Sequence, residues 1–91
     1  MFDNTEVNPR INKRHPELPD SDVLDAWRNA FVIIERRGVP LPDTIFVGIG
    51  SDAKGRLIEM VATITVDEKV HIFHAMTPPS AKTLKEVGLD R

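Results

Sequence analysis

Three histidines, an arginine beside a turn glycine and a glutamate within an apolar run are the residues of this chain best suited to chemistry. The 91 residues include no cysteine, which excludes a thiol nucleophile, a disulfide framework and Cys-ligated zinc or iron–sulfur. His71 and His74 invite a metal reading. On a regular strand, however, positions i and i+3 face opposite ways, so the pair is not expected to chelate one ion. No metal and no cofactor are expected. His74 falls on the apolar face near a strand end, as a core histidine bonded to a backbone carbonyl or as a cleft residue at the open end of the sheet. His15, in Lys13-Arg14-His15, reads either as a general acid/base or phosphate contact, or as part of a solvated basic turn. Arg56 follows Gly55 at the mouth of a strand. It can hold a phosphate bidentately or pair with a local carboxylate such as Asp52. Glu59 projects from the mixed face of the sheet and reads as a surface salt bridge or, less simply, as a functional group beside Arg56. Ser51, Ser80 and the threonines have no adjacent base in sequence.

The elements that must position these groups can be read from pattern. Pro19-Asp20-Ser21-Asp22 starts a helix, with Asp20 or Ser21 as cap and Asp22 complementing the dipole. Val23, Ala26, Trp27, Ala30, Phe31 and Ile34 follow at helical spacing. The β-branched run Phe31-Val32-Ile33-Ile34 favours a helix to about Asn29 and then a strand, with Trp27 in the core. Residues 45–49, 56–66 and 70–76 read as three further strands, joined by turns at 51–55 and 67–69. Ser80 caps a short helix through Val87, stopped by Gly88 with Leu89 packing back. Pairing Val66 with Val70, and a four-residue loop between Ser51 and Arg56, would put Ile45, Val47, Ile49, Ile58, Met60, Ala62, Ile64, Val70, Ile72, His74 and Met76 on one core face. Gly48-x-Gly50 lacks the third glycine and following helix of a nucleotide fingerprint, so Gly50 and Gly55 are assigned to the turn. The expected fold is α+β: an N-terminal helix packed on a three- to four-stranded antiparallel meander, with a short C-terminal helix. Residues 1–18 read as a polar N-terminal arm and 19–91 as the single domain.

Composition bounds the function. A chain of this length supports one modest core, burying about 60–65% of its unfolded surface. Hydrophobic content of 41% and charged content of 29% suit one globular domain. No apolar run approaches a bilayer span, and Met1-Phe2-Asp3 does not open a signal peptide, so a cytoplasmic protein without a membrane partner is expected. The net charge of −2 argues against salt-driven nucleic-acid binding by the domain as a whole; Arg10-Lys13-Arg14 and Arg36-Arg37 are the local basic densities.

Three stretches together resemble a known group. They are Asp22-Val23-Leu24-x-Ala26, then Val47-Gly48-x-Gly50-x-Asp52-x-x-Gly55-Arg56-x-Ile58-Glu59, and last Ile72-x-His74-Ala75-Met76 before a Pro- and Lys-containing tail. The order is similar to small bacterial toxin-like proteins of the BrnT and RelE/ParE type, over about residues 14–89. The resemblance implies a RelE-like sheet with helices, a messenger RNA ribonuclease in active members, and a tight complex with an antitoxin encoded nearby. RNA or the ribosome and a homodimer are further implied partners. Carried over residue by residue, His15, Arg56 and His74 become the candidate catalytic groups, and Arg14 and Lys82 the candidate RNA contacts. Where related toxins place an Arg-rich segment, this chain has His74-Ala75-Met76-Thr77-Pro78-Pro79. Two readings therefore stand at this point: a toxin-like ribonuclease, or a non-enzymatic interaction module that keeps only the partner-binding surface.

Overall fold

The computed structural model describes residues 4–38, 44–65 and 67–89. In chain order these form β1 (Thr5–Val7), α1 (Pro9–Arg14), α2 (Asp20–Arg28), β2 (Ala30–Glu35), β3 (Ile45–Ser51), β4 (Leu57–Ile64), β5 (Val70–Met76) and α3 (Ala81–Glu86). The sheet order is β1-β5-β4-β3-β2. The expected antiparallel meander is present as β2 to β5. The sheet is nevertheless mixed and five-stranded, because β1 adds in parallel beside β5. A three-residue strand carries too little pattern to be read from sequence.

The polar arm is part of the domain. Asn8 caps α1 by accepting from the Arg10 amide, and Pro9 fills the first helical position, where a missing N–H costs nothing. Ile11 and Leu18 are buried in the same cluster as Val23, Ala26, Trp27, Ile58, Met60, Ala62, Val70, Ile72 and Ala75. This apolar set lies between α1, α2 and one face of the sheet. The helix-to-strand switch in the sequence is observed: α2 ends at Arg28 and β2 begins at Ala30. Its N-cap is Pro19, which makes no side-chain cap; Asp20 and Asp22 lie within the first turn.

Two register details overturn the expected core face. Ser51 pairs with Leu57, so the β3–β4 connection holds five residues, not four. A one-residue slip inverts every side chain. Met60 and Ile58 therefore share a face with Gly48 and Gly50, while Ile45, Val47 and Ile49 lie on the opposite face with Glu59 and Val61. Gly48 and Gly50 are consequently packing residues as well as turn neighbours. A Cβ on Gly48 would touch Trp27 and Ile33, and one on Gly50 would overlap the Ala26 carbonyl, so the glycines let α2 lie against the sheet.

The second detail is a β-bulge. Ala62 pairs with Ile72, but Val61 pairs with His74, leaving Phe73 without a ladder partner. Beyond that residue the strand changes parity. Ala75 enters the core in place of the expected His74 and Met76, and His74 turns to the face of Glu59 and Val61. Ile64, not Val66, pairs with Val70, and Val66 lies outside the described residues. The second face is partly covered by α3. Ser80 caps this helix through the Thr83 amide, and Gly88, at φ 80°, ends it as expected.

Candidate functional site

The second face of β4 and β5 carries the site. Glu59 is directed there by strand alternation, and its side chain is only 5% exposed. One carboxylate oxygen accepts the Ser80 amide hydrogen at 2.7 Å. The other lies 2.8 Å from His74 Nε2. Burial alone would raise the Glu59 pKa. Bonds from the Ser80 amide, His74, the Ser80 hydroxyl and Thr83 more than offset it, and the carboxyl is held below its usual range. Glu59 is thus an ionised acceptor at neutral pH. It must take a hydrogen from Nε2, which leaves Nδ1 as the acceptor nitrogen of neutral His74. The surface salt bridge expected of Glu59 is replaced by this buried pairing.

His74 is 39% exposed and stands where two grooves meet. One, of about 430 Å³, is lined by Arg36, Glu59, Val61, Ser80, Lys82 and Thr83 as well as Arg14, Phe73 and His74. The other, of about 220 Å³, runs between α1 and the second half of β5. It is lined by Asn8, Arg10 and His15 together with Arg14, Phe73 and His74. The chain leaves β1 at Asn8, whose amide donates to the Ile72 carbonyl, and α1 then lies beside β5. This path brings Arg14 and His15 towards His74.

The charges are unevenly committed. Arg36 forms a bidentate pair with Glu86, with both N···O distances 2.9 Å. The Glu86 bond comes first in raising the Arg36 pKa, and the Arg36 bond first in holding Glu86 low. Arg14 and Lys82 have no ion-pair partner within 4 Å among the described residues. His15 approaches Glu17 at 3.6 Å. Arg14 and Lys82 can therefore take an anion without first breaking an ion pair among the described residues.

Four of the five residues singled out from sequence, His15, His74, Arg14 and Lys82, therefore line the joined grooves. Arg56 lines neither. Its Nε contacts Asp52 at 2.8 Å and its Nη2 contacts Asp22 at 2.9 Å. Lys54 Nζ reaches the same Asp22 oxygen at 2.8 Å. Burial would raise the Asp52 pKa, but the Arg56 amide, its guanidinium and the Lys54 amide together lower it. The local-carboxylate alternative is the observed one, and the cluster ties the β3–β4 connection to the first turn of α2.

The bulge also changes the histidine geometry. His71 pairs with Thr63 and His74 with Val61, so the two rings occupy one face and not opposite faces. They serve different partners all the same. His71 Nδ1 is 2.8 Å from Glu6, and its Nε2 is 3.3 Å from Asn8. Among the described residues, no three His, Asp or Glu side chains are grouped as a metal site. Asn8, Phe73 and Thr83 are among the groove residues to which the sequence assigns no chemistry. Glu59 stands out in the sequence, but its pairing with His74 follows only when a bulge is allowed in β5. No described helix is long and apolar enough to cross a membrane.

Comparison with protein-family models, curated proteins and solved structures finds no match.

Proposed function

We propose that this chain is a toxin-type ribonuclease whose reactive centre is the His74–Glu59 pair. The observation that carries the reading is a buried, ionised carboxylate orienting a half-exposed histidine in a groove with Arg14 and Lys82, which are unpaired among the described residues. Cleavage would begin with neutral His74 accepting the proton of a ribose 2′-hydroxyl at Nδ1. The freed oxygen attacks the adjacent phosphorus, and Arg14 and Lys82 offset the developing phosphorane charge. The P–O5′ bond breaks, and protonated His15 supplies a proton to the leaving 5′-oxygen. The products are a 2′,3′-cyclic phosphate and a 5′-hydroxyl. The same reading places the protein in the cytoplasm, held in check by an antitoxin encoded beside it.

The test is cleavage of a single-stranded RNA oligonucleotide bearing a fluorophore and a quencher. His74→Ala is expected to lower the rate by about 10²–10⁴-fold, the usual contribution of an acid/base group. A 2′-deoxy substrate is expected to resist. If the purified chain leaves RNA intact and its expression does not slow growth, the ribonuclease reading fails.

A second reading, a partner-binding module without catalysis, has its own observation. Phe31 is 56% exposed and Ile33 is also exposed, both on β2 at the edge of the sheet. An apolar edge strand is a ready surface for another chain. A tight complex with a neighbour-encoded protein, formed by a chain that does not cut RNA, would support it.

A further inference from the structure

We infer that Phe73 is a stacking platform for one base of single-stranded RNA, placed beside the reactive centre by the β-bulge. This rests on the reading of the His74 groove as an RNA site. Phe73 is the inserted residue: Ile72 and His74 on either side pair with Ala62 and Val61, and Phe73 pairs with nothing on β4. The change of parity explains why a residue must be inserted there, since it lets Ala75 enter the core and His74 reach Glu59. It does not explain why that residue is aromatic, because any side chain at 73 would preserve the count. Core packing does not explain it either, as Phe73 remains 38% exposed and lies outside the buried cluster.

Its surroundings suit a nucleotide. Phe73 lines both grooves, and Arg14 and His74 do the same. A base stacked on the ring would leave its phosphate within the basic zone of Arg14, next to the histidine that must reach the ribose. Every base offers a π face, so such a platform is tolerant of sequence and selective for unpaired strands. The acidic net charge becomes less of an obstacle, because stacking supplies affinity that does not depend on the charge of the whole domain.

The experiment is fluorescence anisotropy with a fluorescein-labelled RNA hexamer, 2′-O-methylated throughout to block cleavage. A fully abasic hexamer with the same backbone is the second probe. Proteins are the wild type, Phe73→Ala, Phe73→Leu and Phe73→Trp, each confirmed as folded by circular dichroism. Phe73→Ala and Phe73→Leu are expected to weaken binding of the base-bearing hexamer by about 5–150-fold, the range for one stacked base. Phe73→Trp is expected to stay within about threefold of wild type by retaining the π surface. The abasic hexamer should bind wild type and Phe73→Ala equally. If Phe73→Leu binds like wild type, or the abasic hexamer binds wild type as tightly as the base-bearing one, the platform is refuted while the phosphate groove stands. If neither hexamer binds wild type, the platform and the RNA reading fall together.

Discussion

Replacing Glu59 by Gln isolates the group on which the proposed centre depends. The substitution keeps size and shape and exchanges one acceptor oxygen for a donor NH2. Glu59 receives the Ser80 amide on one oxygen and His74 on the other, so the neutral amide either sets a donor against a donor on one side or forces His74 into the other tautomer, and in both cases the charge that strengthens the bonds is lost. A charge-assisted bond contributes about 1.5–3 kcal/mol, and a buried unsatisfied donor costs about 1–3 kcal/mol. With partial relaxation, the expected loss is about 2–4 kcal/mol at pH 7, a large part of the roughly 5–10 kcal/mol typical of such a domain. That corresponds to a fall in Tm of about 10–25 °C. The loss should depend on pH with a definite sign. Glu59 has its folded pKa depressed, so its contribution is fully present above the unfolded carboxyl value and is lost as pH falls through the folded value. Wild type and variant should therefore converge in acid, where the protonated carboxyl and the amide are near equivalents. Urea unfolding followed by the fluorescence of Trp27, the single tryptophan and a buried one, measures this at pH 7 and at pH 3. A loss below about 1 kcal/mol at pH 7, or an equal loss at both pH values, would refute the assignment of Glu59 as an ionised anchor for His74.

Other substitutions separate framework from site. Gly50→Ala forces a methyl into the Ala26 carbonyl, a backbone clash that no rotamer relieves, and about 3 kcal/mol or more of stability should be lost in thermal or urea unfolding. Arg56→Met strips the guanidinium from the buried Asp22 and Asp52 and should cost about 3 kcal/mol, while kcat per folded molecule on RNA stays unchanged. His71→Phe removes the side-chain bonds to Glu6 and Asn8, so hydrogen exchange should quicken at residues 5–7 while global stability falls by no more than about 1 kcal/mol.

The comparison of sequence with structure turns on counting. Strong periodic signals were legible: the apolar stripe of α2, the β-branched start of β2, the hairpin between β4 and β5, and the Ser80-to-Gly88 helix with its cap and stop. What could not be counted from sequence was a single residue at two places that decide the site, the length of the β3–β4 connection and the bulge at Phe73; β2 has a similar register shift between Ala30 and Val32. Each exchanges the two faces of a strand, so Val47 and Ile49 moved to the second face and His74 moved out of the core. Asn8-Pro9 is a helix-start signal, masked in the sequence by the polar arm around it. Among the site residues, His15, Arg14, Lys82 and His74 were legible as types able to bind or activate a phosphate. Their nearness was not, since it depends on the parallel docking of β1. Arg56 was legible as two alternatives, and the short spacing to Asp52 decided in favour of the structural one.

That parallel docking sets an order of events during synthesis. Glu6 and His71, bonded across β1 and β5, are 65 residues apart in the chain. Strand β1 and the groove-lining residues of α1 leave the ribosome early, but the strand against which they lie is not made until the rest of the sheet has been translated. Local contacts within β3 and β4 can form first, whereas the parallel pairing closes a long loop and must come late. His15 and Arg14 therefore meet His74 only when β5 is in place. An incomplete chain would carry the separate side chains but no reactive groove, so any activity would arise as a property of the finished fold and be absent throughout its making.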